Sequence, residues 1–316
     1  MKVFVSNQGC EQRGLDAQRV RSLYSANGHE LVDRHEDAES VVVMTCAVDQ
    51  AREQQSVSYL EKVVAHDQHR ELVVSGCLPA ISPNLVPSSA RYTVGPRDLE
   101  RFDRIVSGTV GINDIPDACL TSGDPTRFPK KYYSRARREY ESAKAGYAVR
   151  VNHGCLLSCS YCVIRLATGL LESVPLDDIL SAVNSGLAGG QQSVMLMGGD
   201  IGAYGRDCES SLPELLNAVA EIDFGQARLH MHDLNFNWVS RDLDSFTASF
   251  LALGERLGTV SLPVQSGSDS VLRAMRRPYR SDDVRAGIAQ LRNANSAALL
   301  GTHIIEAYSG RRYRSC

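Results

Sequence analysis

Short apolar runs alternate with stretches of helical period along the first hundred residues of the chain. Residues 3–6 (Val-Phe-Val-Ser) read as a strand, and residues 15–24 as a helix with Val20, Leu23 and Tyr24 on one face. A continuous apolar strand at 41–44 precedes a longer helix carrying Val57, Leu60, Val63 and Val64 at helical spacing. Residues 72–75 give a third strand and 92–94 a fourth. Apolar strands separated by amphipathic helices predict a parallel sheet covered on both faces. The alternation resumes with a strand at 146–151 and a helix at 177–187 that turns Ile179, Leu180, Val183 and Leu187 inward. Strands follow at 193–197, 228–232, 260–264 and 299–305. Repeated β–α units with polar residues at the strand C-termini predict a partial (β/α) barrel. The stretch between the halves is rich in Pro, Ser, Arg and Tyr and reads as a linker. The expected organisation is α/β: an N-terminal open parallel α/β sheet domain at 1–112, a linker at 113–144 and a partial barrel at 145–316.

The chain has 316 residues, 43% hydrophobic and 22% charged, which suits a globular protein of two domains. It opens Met1-Lys2-Val3-Phe4-Val5, directly into a strand, without a signal peptide or an apolar run long enough to span a membrane. A cytoplasmic location is therefore expected, where nine cysteines suit metal ligation better than disulfides. The formal charge of −3 lacks the basic excess of an RNA-binding surface. The densest basic run, residues 130–138 with Tyr132 and Tyr133, reads as solvated linker rather than RNA contact.

The cysteines change the picture most. Cys155-Leu156-Leu157-Ser158-Cys159-Ser160-Tyr161-Cys162 sets three thiols in a C-x3-C-x2-C pattern. Thiolates favour iron–sulfur clusters and zinc. A cubane normally takes four cysteines, so three in one loop hold three irons and leave the fourth open to a small molecule. A zinc knuckle remains the alternative. A second triad emerges from the predicted sheet. Cys10 follows the first strand, Cys46 the second and Cys77 the third. Parallel strands present their C-terminal ends at one edge, so these distant thiols should converge there. Gly9 and Gly76, each just before a cysteine, let backbone approach a bulky ligand. A lone cysteine reads as core; three at equivalent strand ends read as a second cluster site.

The chain resembles the radical S-adenosylmethionine (SAM) methylthiotransferases over essentially its whole length. Gln8-Gly9-Cys10 with Asp16, Thr45-Cys46-Ala47-Val48 and Ser75-Gly76-Cys77-Leu78 are similar to the three cysteine motifs of that family's N-terminal domain. His153-Gly154-Cys155 through Cys162-Val163-Ile164 resembles its SAM loop, including the aromatic Tyr161. Leu262-Pro263-Val264-Gln265-Ser266-Gly267-Ser268 and Met275-Arg276-Arg277-Pro278 resemble its barrel. Gly202-Ala203-Tyr204-Gly205-Arg206-Asp207 looks most like the branch that modifies threonylcarbamoyladenosine in tRNA, and the ribosomal-protein branch shares its Ala-Tyr-Gly. The resemblance implies an enzyme with two 4Fe–4S clusters and SAM. One cluster, on Cys155, Cys159 and Cys162, reduces SAM to a radical that abstracts hydrogen. The other, on Cys10, Cys46 and Cys77, carries or donates sulfur, and a second SAM supplies the methyl group. The chemistry belongs to the cofactors, with the protein supplying position and electrostatics. Tyr161, the turn Gly198-Gly199-Asp200 and Gln265 are the expected cofactor contacts. A tRNA or ribosomal-protein substrate is implied, together with a reductant such as flavodoxin or ferredoxin and no membrane partner.

The departures also matter. The family usually has Asn where Arg13 and Met44 stand, and Arg-Glu in place of Asp49-Gln50. Thr168 and Val174 stand where the family usually has Arg. Arginine is the preferred partner of phosphates and carboxylates, so three missing arginines predict weaker anion binding. After Gly301-Thr302-His303-Ile304-Ile305 the family continues Gly-Phe-Pro-Gly-Glu-Thr, whereas this chain reads Glu306 to Cys316 and stops. A shortened barrel with an open edge strand and no C-terminal β-barrel is expected. A peptide- or small-molecule-modifying enzyme, or a truncated non-catalytic iron–sulfur protein, are the alternative readings. Cys119, Cys208 and Cys316 lack cluster spacing and read as incidental. His230 and His232 read as core or solvent histidines, Asn235, Asn237 and Trp238 as weak pocket candidates, Gln265 and Ser266 as better ones, and Arg276 and Arg277 as helix-capping or solvent-paired.

Overall fold

The structure, a computed structural model, describes residues 1–67, 70–120, 146–306 and 308. The basic run at 130–138, most of the linker and Cys316 lie outside the described residues. The described chain divides into two compact units.

The first unit comprises Met1–Cys119 and Val163–Gly169. Its sheet contains β1 (Lys2–Asn7), β2 (Glu30–Leu31), β3 (Ser40–Thr45), β4 (Glu71–Gly76) and β5 (Tyr92–Val94), all parallel, in the order β2-β1-β3-β4-β5. The four expected strands are present, and β2 extends the β1 edge by two residues that carry no long apolar run. The pleat sorts alternate residues to opposite faces. Val3, Val5, Val42, Met44 and Val73 pack with Ala17, Val20, Leu23 and Tyr24 of α1 (Glu11–Ala26). Val41, Val43, Leu72 and Val74 pack on the other side with Leu60 and Val63 of α2 (Gln50–His66). The same cluster includes Leu78 and Ile81 of α3 (Cys77–Ile81). A helix α4 (Arg101–Val106) adds Phe102 and Val106 to the α1 face. Both sheet faces are thus covered, which is why β3 reads as an unbroken apolar run. A short helix α5 (Ile164–Thr168), directly after the C-x3-C-x2-C loop, belongs to this unit, and Val163 and Ala167 join its second core.

Beyond a three-residue strand β6 (Ala118–Leu120), the second unit carries β7 (Tyr147–His153), β8 (Glu172–Ser173), β9 (Ser193–Gly198), β10 (Arg228–Met231), β11 (Leu257–Ser261) and β12 (Leu299–Gly301). Strands β12-β11-β10-β9-β7 run parallel in that order, and β8 pairs antiparallel with β7. The helices are α6 (Leu176–Ala188), α7 (Leu212–Ala220), α8 (Phe236–Arg241), α9 (Leu243–Leu253), α10 (Asp269–Ala274) and α11 (Ser281–Ala294). In α6, Ile179 and Val183 are buried as expected, but Leu180 and Leu187 are only partly covered. Gly186 is buried in their place because the Tyr147 ring lies where its side chain would be. The last expected strand is shorter than the apolar pattern predicts. After Gly301 the hydroxyl of Thr302 donates to the Leu262 carbonyl at 2.8 Å and accepts from Val264 N at 3.2 Å, replacing regular backbone pairing. Pairing resumes as a single bridge between Gln265 and Ile304. Among the described residues no helix is long and apolar enough to cross a membrane.

Candidate functional site

In the first unit, β1, β3 and β4 are sheet neighbours, and each delivers a cysteine at its C-terminal end. Cys10 is the residue before α1, in extended conformation. Cys46 follows β3 and is pinned by Ser56 of α2, whose hydroxyl accepts from Cys46 N at 3.0 Å and donates to Cys46 O at 2.9 Å. Cys77 opens α3 after Gly76, whose φ is 95° and whose missing side chain leaves room for the Thr45 backbone. A glycine is therefore required there on two counts. Thr45 completes the brace: its hydroxyl donates to Ser75 O at 2.6 Å and accepts from Leu78 N at 3.3 Å.

Burial pushes the Cys46 thiol up to about 11, with the charge of Cys10 adding to it. Burial likewise raises Cys77 to about 12, opposed by Arg13 and reinforced by Cys10 and Cys46. The three sulfurs thus act on one another in a partly dry setting. Thiolates crowded this way are stabilised by a cationic metal group, so the donor set fits one. Arg13 and Asp16, buried in the first turns of α1, form an ion pair at 2.8 Å.

In the second unit the C-x3-C-x2-C loop follows β7 and is tied down at several points. Leu157 N donates to Cys155 Sγ at 3.3 Å and Cys162 N to Cys159 O at 3.2 Å. Ser160 donates from its backbone to Met275 O at 3.2 Å and from its hydroxyl to Ala274 O at 2.8 Å, anchoring the loop to the end of α10. Arg276 reaches Ser158 O at 3.4 Å. Arg277 departs from the expected helix-capping or solvent-paired role. It is 6% exposed, donates to the Tyr161 hydroxyl and lies 5.7 Å from the Tyr161 ring centroid. Among the described residues its buried Nε and one terminal nitrogen have no hydrogen-bond partner. The Met-Arg-Arg-Pro motif was visible in sequence, but not which arginine turns inward. Burial raises the Cys155 thiol to about 12, with Asp200 adding to it, and raises Cys159, with Arg277 opposing.

The Gly198-Gly199-Asp200 turn meets this loop. A side chain on Gly199 would overlap the Gly154 backbone, and one on Gly198 would overlap the Asn152 amide. The pair is thus required by close packing under the cysteine loop. Asp200 is buried. Its Oδ2 accepts from Trp238 Nε1 at 2.7 Å and lies 4.0 Å from Cys155 Sγ, and its Oδ1 accepts from Asn235 N at 3.4 Å. Burial raises its carboxyl to about 6 despite those donors. Trp238 is flanked by the guanidinium groups of Arg206, at 4.4 Å, and Arg241, at 5.5 Å. Arg206 belongs to the Gly202–Asp207 segment, which is locked onto β8 because Asp207 accepts from Ser173 N at 2.8 Å and from its hydroxyl at 2.6 Å. Gln265 adopts φ of 75°, a left-handed conformation unusual for a residue with a side chain, at the bridge to Ile304.

His230 is a core histidine. Its Nδ1 lies 3.0 Å from Thr259 N, and burial lowers its pKa to about 4. His232 pairs with Asp233 at 3.0 Å. Asn235 caps α8 by accepting from Asn237 N at 3.1 Å, while the buried side-chain amide of Asn237 has no hydrogen-bond partner among the described residues. Thr168 and Val174, in place of the expected arginines, serve the fold. The Thr168 hydroxyl donates to Ile164 O at 3.1 Å, and Val174 N donates to Val151 O at 2.9 Å. Asp49 caps α2, accepting from Arg52 N at 2.8 Å. Among the described residues no three His, Cys, Asp or Glu side chains are arranged to hold a single metal ion. In a cubane each cysteine takes its own iron, whereas the ligands of one zinc converge at about 2.3 Å from a common centre.

Two family models match the chain: Uncharacterized protein family UPF0004 over residues 2–93 and the Radical SAM superfamily over residues 149–305. A protein of Pyrococcus horikoshii described as a probable threonylcarbamoyladenosine tRNA methylthiotransferase is 27% identical over 98% of this chain and 71% of its own length. Threonylcarbamoyladenosine tRNA methylthiotransferases of Drosophila melanogaster and Homo sapiens are 28% and 24% identical. The chain spans only 54% and 52% of their respective lengths. Among solved structures, the radical S-adenosylmethionine methyltransferase TsrM from Kitasatospora setae aligns at a TM-score of 0.63 and 15% identity, over 96% of this chain and 69% of that one. The cobalamin-dependent S-adenosylmethionine radical enzyme OxsB aligns at 0.60 and 10% identity, over 96% and 49%. These two likenesses concern the fold.

Proposed function

We propose, on the premise that this chain belongs to the radical SAM methylthiotransferases, that its substrate is a tRNA nucleoside, threonylcarbamoyladenosine. Membership brings a 4Fe–4S cluster and SAM, and the second cluster is part of the proposal. The observation that carries the reading is the pair of cysteine triads, one at the C-terminal ends of three neighbouring strands and one in the loop after β7, each with mutually interacting thiols. The substrate assignment draws on the names of the relatives and on the Gly202–Asp207 segment.

Cys155, Cys159 and Cys162 hold the cluster that binds SAM, and Cys10, Cys46 and Cys77 hold the other. When bound, the first supplies the electron for SAM cleavage and the second supplies sulfur, with a flavodoxin or ferredoxin as the source of electrons. The chain's own residues orient and shield. Asp200, fixed by Trp238 and Asn235, presents a carboxylate beside Cys155 suited to the SAM amino group. Tyr161, held by Arg277, walls the loop, and Gln265 offers an amide from a strained backbone position. Closely packed Gly198 and Gly199 keep that turn against the loop, so its position is set before ligand arrives.

The test is mass spectrometry of tRNA nucleosides and ribosomal proteins from cells with and without the chain. A methylthiolated threonylcarbamoyladenosine that depends on the chain is expected. Unchanged tRNA beside a newly modified ribosomal protein would move the assignment to a protein substrate.

A further inference from the structure

We propose that Arg206 and Arg241, stacked on Trp238, hold a carboxylate carried by the substrate, the threonyl carboxylate of threonylcarbamoyladenosine. This deepens the substrate reading above and rests on it. Both arginines are exposed, and their guanidinium groups lie 4.4 and 5.5 Å from the centroid of one indole. Among the described residues neither guanidinium donates a hydrogen bond or pairs with an acid. Two like charges on one ring repel each other, and a bound anion relieves that repulsion.

The backbone that carries Arg206 is fixed on both sides. Gly205 before it has φ of 82°, and its missing side chain admits the Ser210 backbone. Gly205 N donates to Ser173 Oγ at 2.9 Å, Asp207 accepts from the same hydroxyl at 2.6 Å, and Arg206 N donates to Ala203 O at 3.2 Å. Trp238 is 4% exposed, and a side chain on Gly202 would overlap its ring. Stacking on such a ring leaves the N–H edge of a guanidinium free, and that edge matches a carboxylate in a bidentate fork. The indole Nε1 in turn bonds Asp200, whose Oδ2 lies 4.0 Å from Cys155 Sγ. The two arginines therefore share a wall with the loop proposed to bind SAM. Threonylcarbamoyladenosine as a nucleoside bears one full negative charge at neutral pH, on its threonyl carboxylate, and adenosine bears none. Arginines at this wall select the substituted base over plain adenine, which stacking alone does not do.

The experiment is anaerobic calorimetry on the reconstituted, SAM-loaded full chain without reductant. The probes are the free nucleoside threonylcarbamoyladenosine and its neutral methyl ester. Neither contains a phosphate, so a preference for the acid reports the carboxylate. Wild type should bind the acid about tenfold or more tightly than the ester, the size of one charge-assisted hydrogen bond. Arg206→Gln and Arg241→Gln should each narrow that gap by weakening the acid and not the ester. Arg206→Lys keeps the charge but loses the fork, so it should fall between wild type and Arg206→Gln. Wild type that binds acid and ester equally, or binds neither, would overturn the inference, and that comparison needs no variant to fold. Variants that weaken an anticodon stem-loop RNA while the acid–ester gap stays intact would assign the arginines to backbone phosphate and overturn it too. Failure of the substrate reading shows separately, as tRNA in which no methylthiolated threonylcarbamoyladenosine depends on the chain.

Discussion

Trp238 donates its indole Nε1–H to the buried Oδ2 of Asp200 at 2.7 Å, and the same oxygen lies 4.0 Å from Cys155 Sγ. One hydrogen bond thus couples the first residue of the cysteine loop to a helix 38 positions beyond the Gly-Gly turn. Because Arg206 and Arg241 stack on the indole, the ring is held from both the Gly202–Asp207 segment and the end of α8.

Trp238→Phe should preserve the ring packing and remove the donor to Asp200. A buried carboxylate that loses such a bond costs about 2 kcal/mol. We expect a lower urea midpoint and weaker SAM binding by calorimetry. Unchanged values for both would mean that the bond does not orient Asp200.

Reconstituted wild type is expected to bind about eight irons in two cubanes. Replacing Cys155, Cys159 and Cys162 by Ala should halve the iron and abolish SAM cleavage. Replacing Cys10, Cys46 and Cys77 should also halve the iron, yet leave SAM cleavage largely intact while eliminating thiolated product. Full iron in either triple variant would remove those cysteines from the ligand set. Zinc in place of iron would assign a structural metal.

His230 sets a pH dependence of stability. Burial lowers its folded pKa to about 4 from an ordinary value of 6.5. Between those limits the unfolded chain binds the extra proton, so stability rises with pH across that window and is lost as pH falls. The full span is worth about 3 kcal/mol. Urea midpoints at pH 5 and pH 7.5 should diverge more in wild type than in His230→Asn. Equal pH slopes in the two proteins would refute this role.

The chain by itself should bind tRNA weakly. Non-specific affinity grows with the number of phosphates neutralised by Lys and Arg, and the formal charge here is −3. Asp49, Thr168 and Val174 occupy positions where the resemblance places arginine, and each serves a cap or backbone contact instead. No saturable binding is expected below about micromolar at physiological salt. A filter-binding titration with nanomolar affinity and a steep salt slope would contradict it.

Local chemistry made much of this protein legible from sequence. The C-x3-C-x2-C loop announces soft-metal ligation because its three donors are neighbours in the chain. Apolar strands β3 and β4 announce a sheet covered on both faces because burial on both sides leaves no polar alternation to read. The placement of Cys10, Cys46 and Cys77 after the C-terminal ends of neighbouring parallel strands also followed from strand order. Only the tertiary structure decided which polar residues turn inward. Arg276 and Arg277 are adjacent and chemically alike, yet Arg277 is buried on Tyr161 while Arg276 reaches a loop carbonyl. Trp238 finds Asp200, and Thr302 replaces a backbone ladder with its hydroxyl. Hydrophobic period and thiol spacing are properties of a few consecutive residues. A hydrogen-bond partner far along the chain is chosen by how crossover helices set strand ends against one another, and no short stretch of sequence contains that geometry.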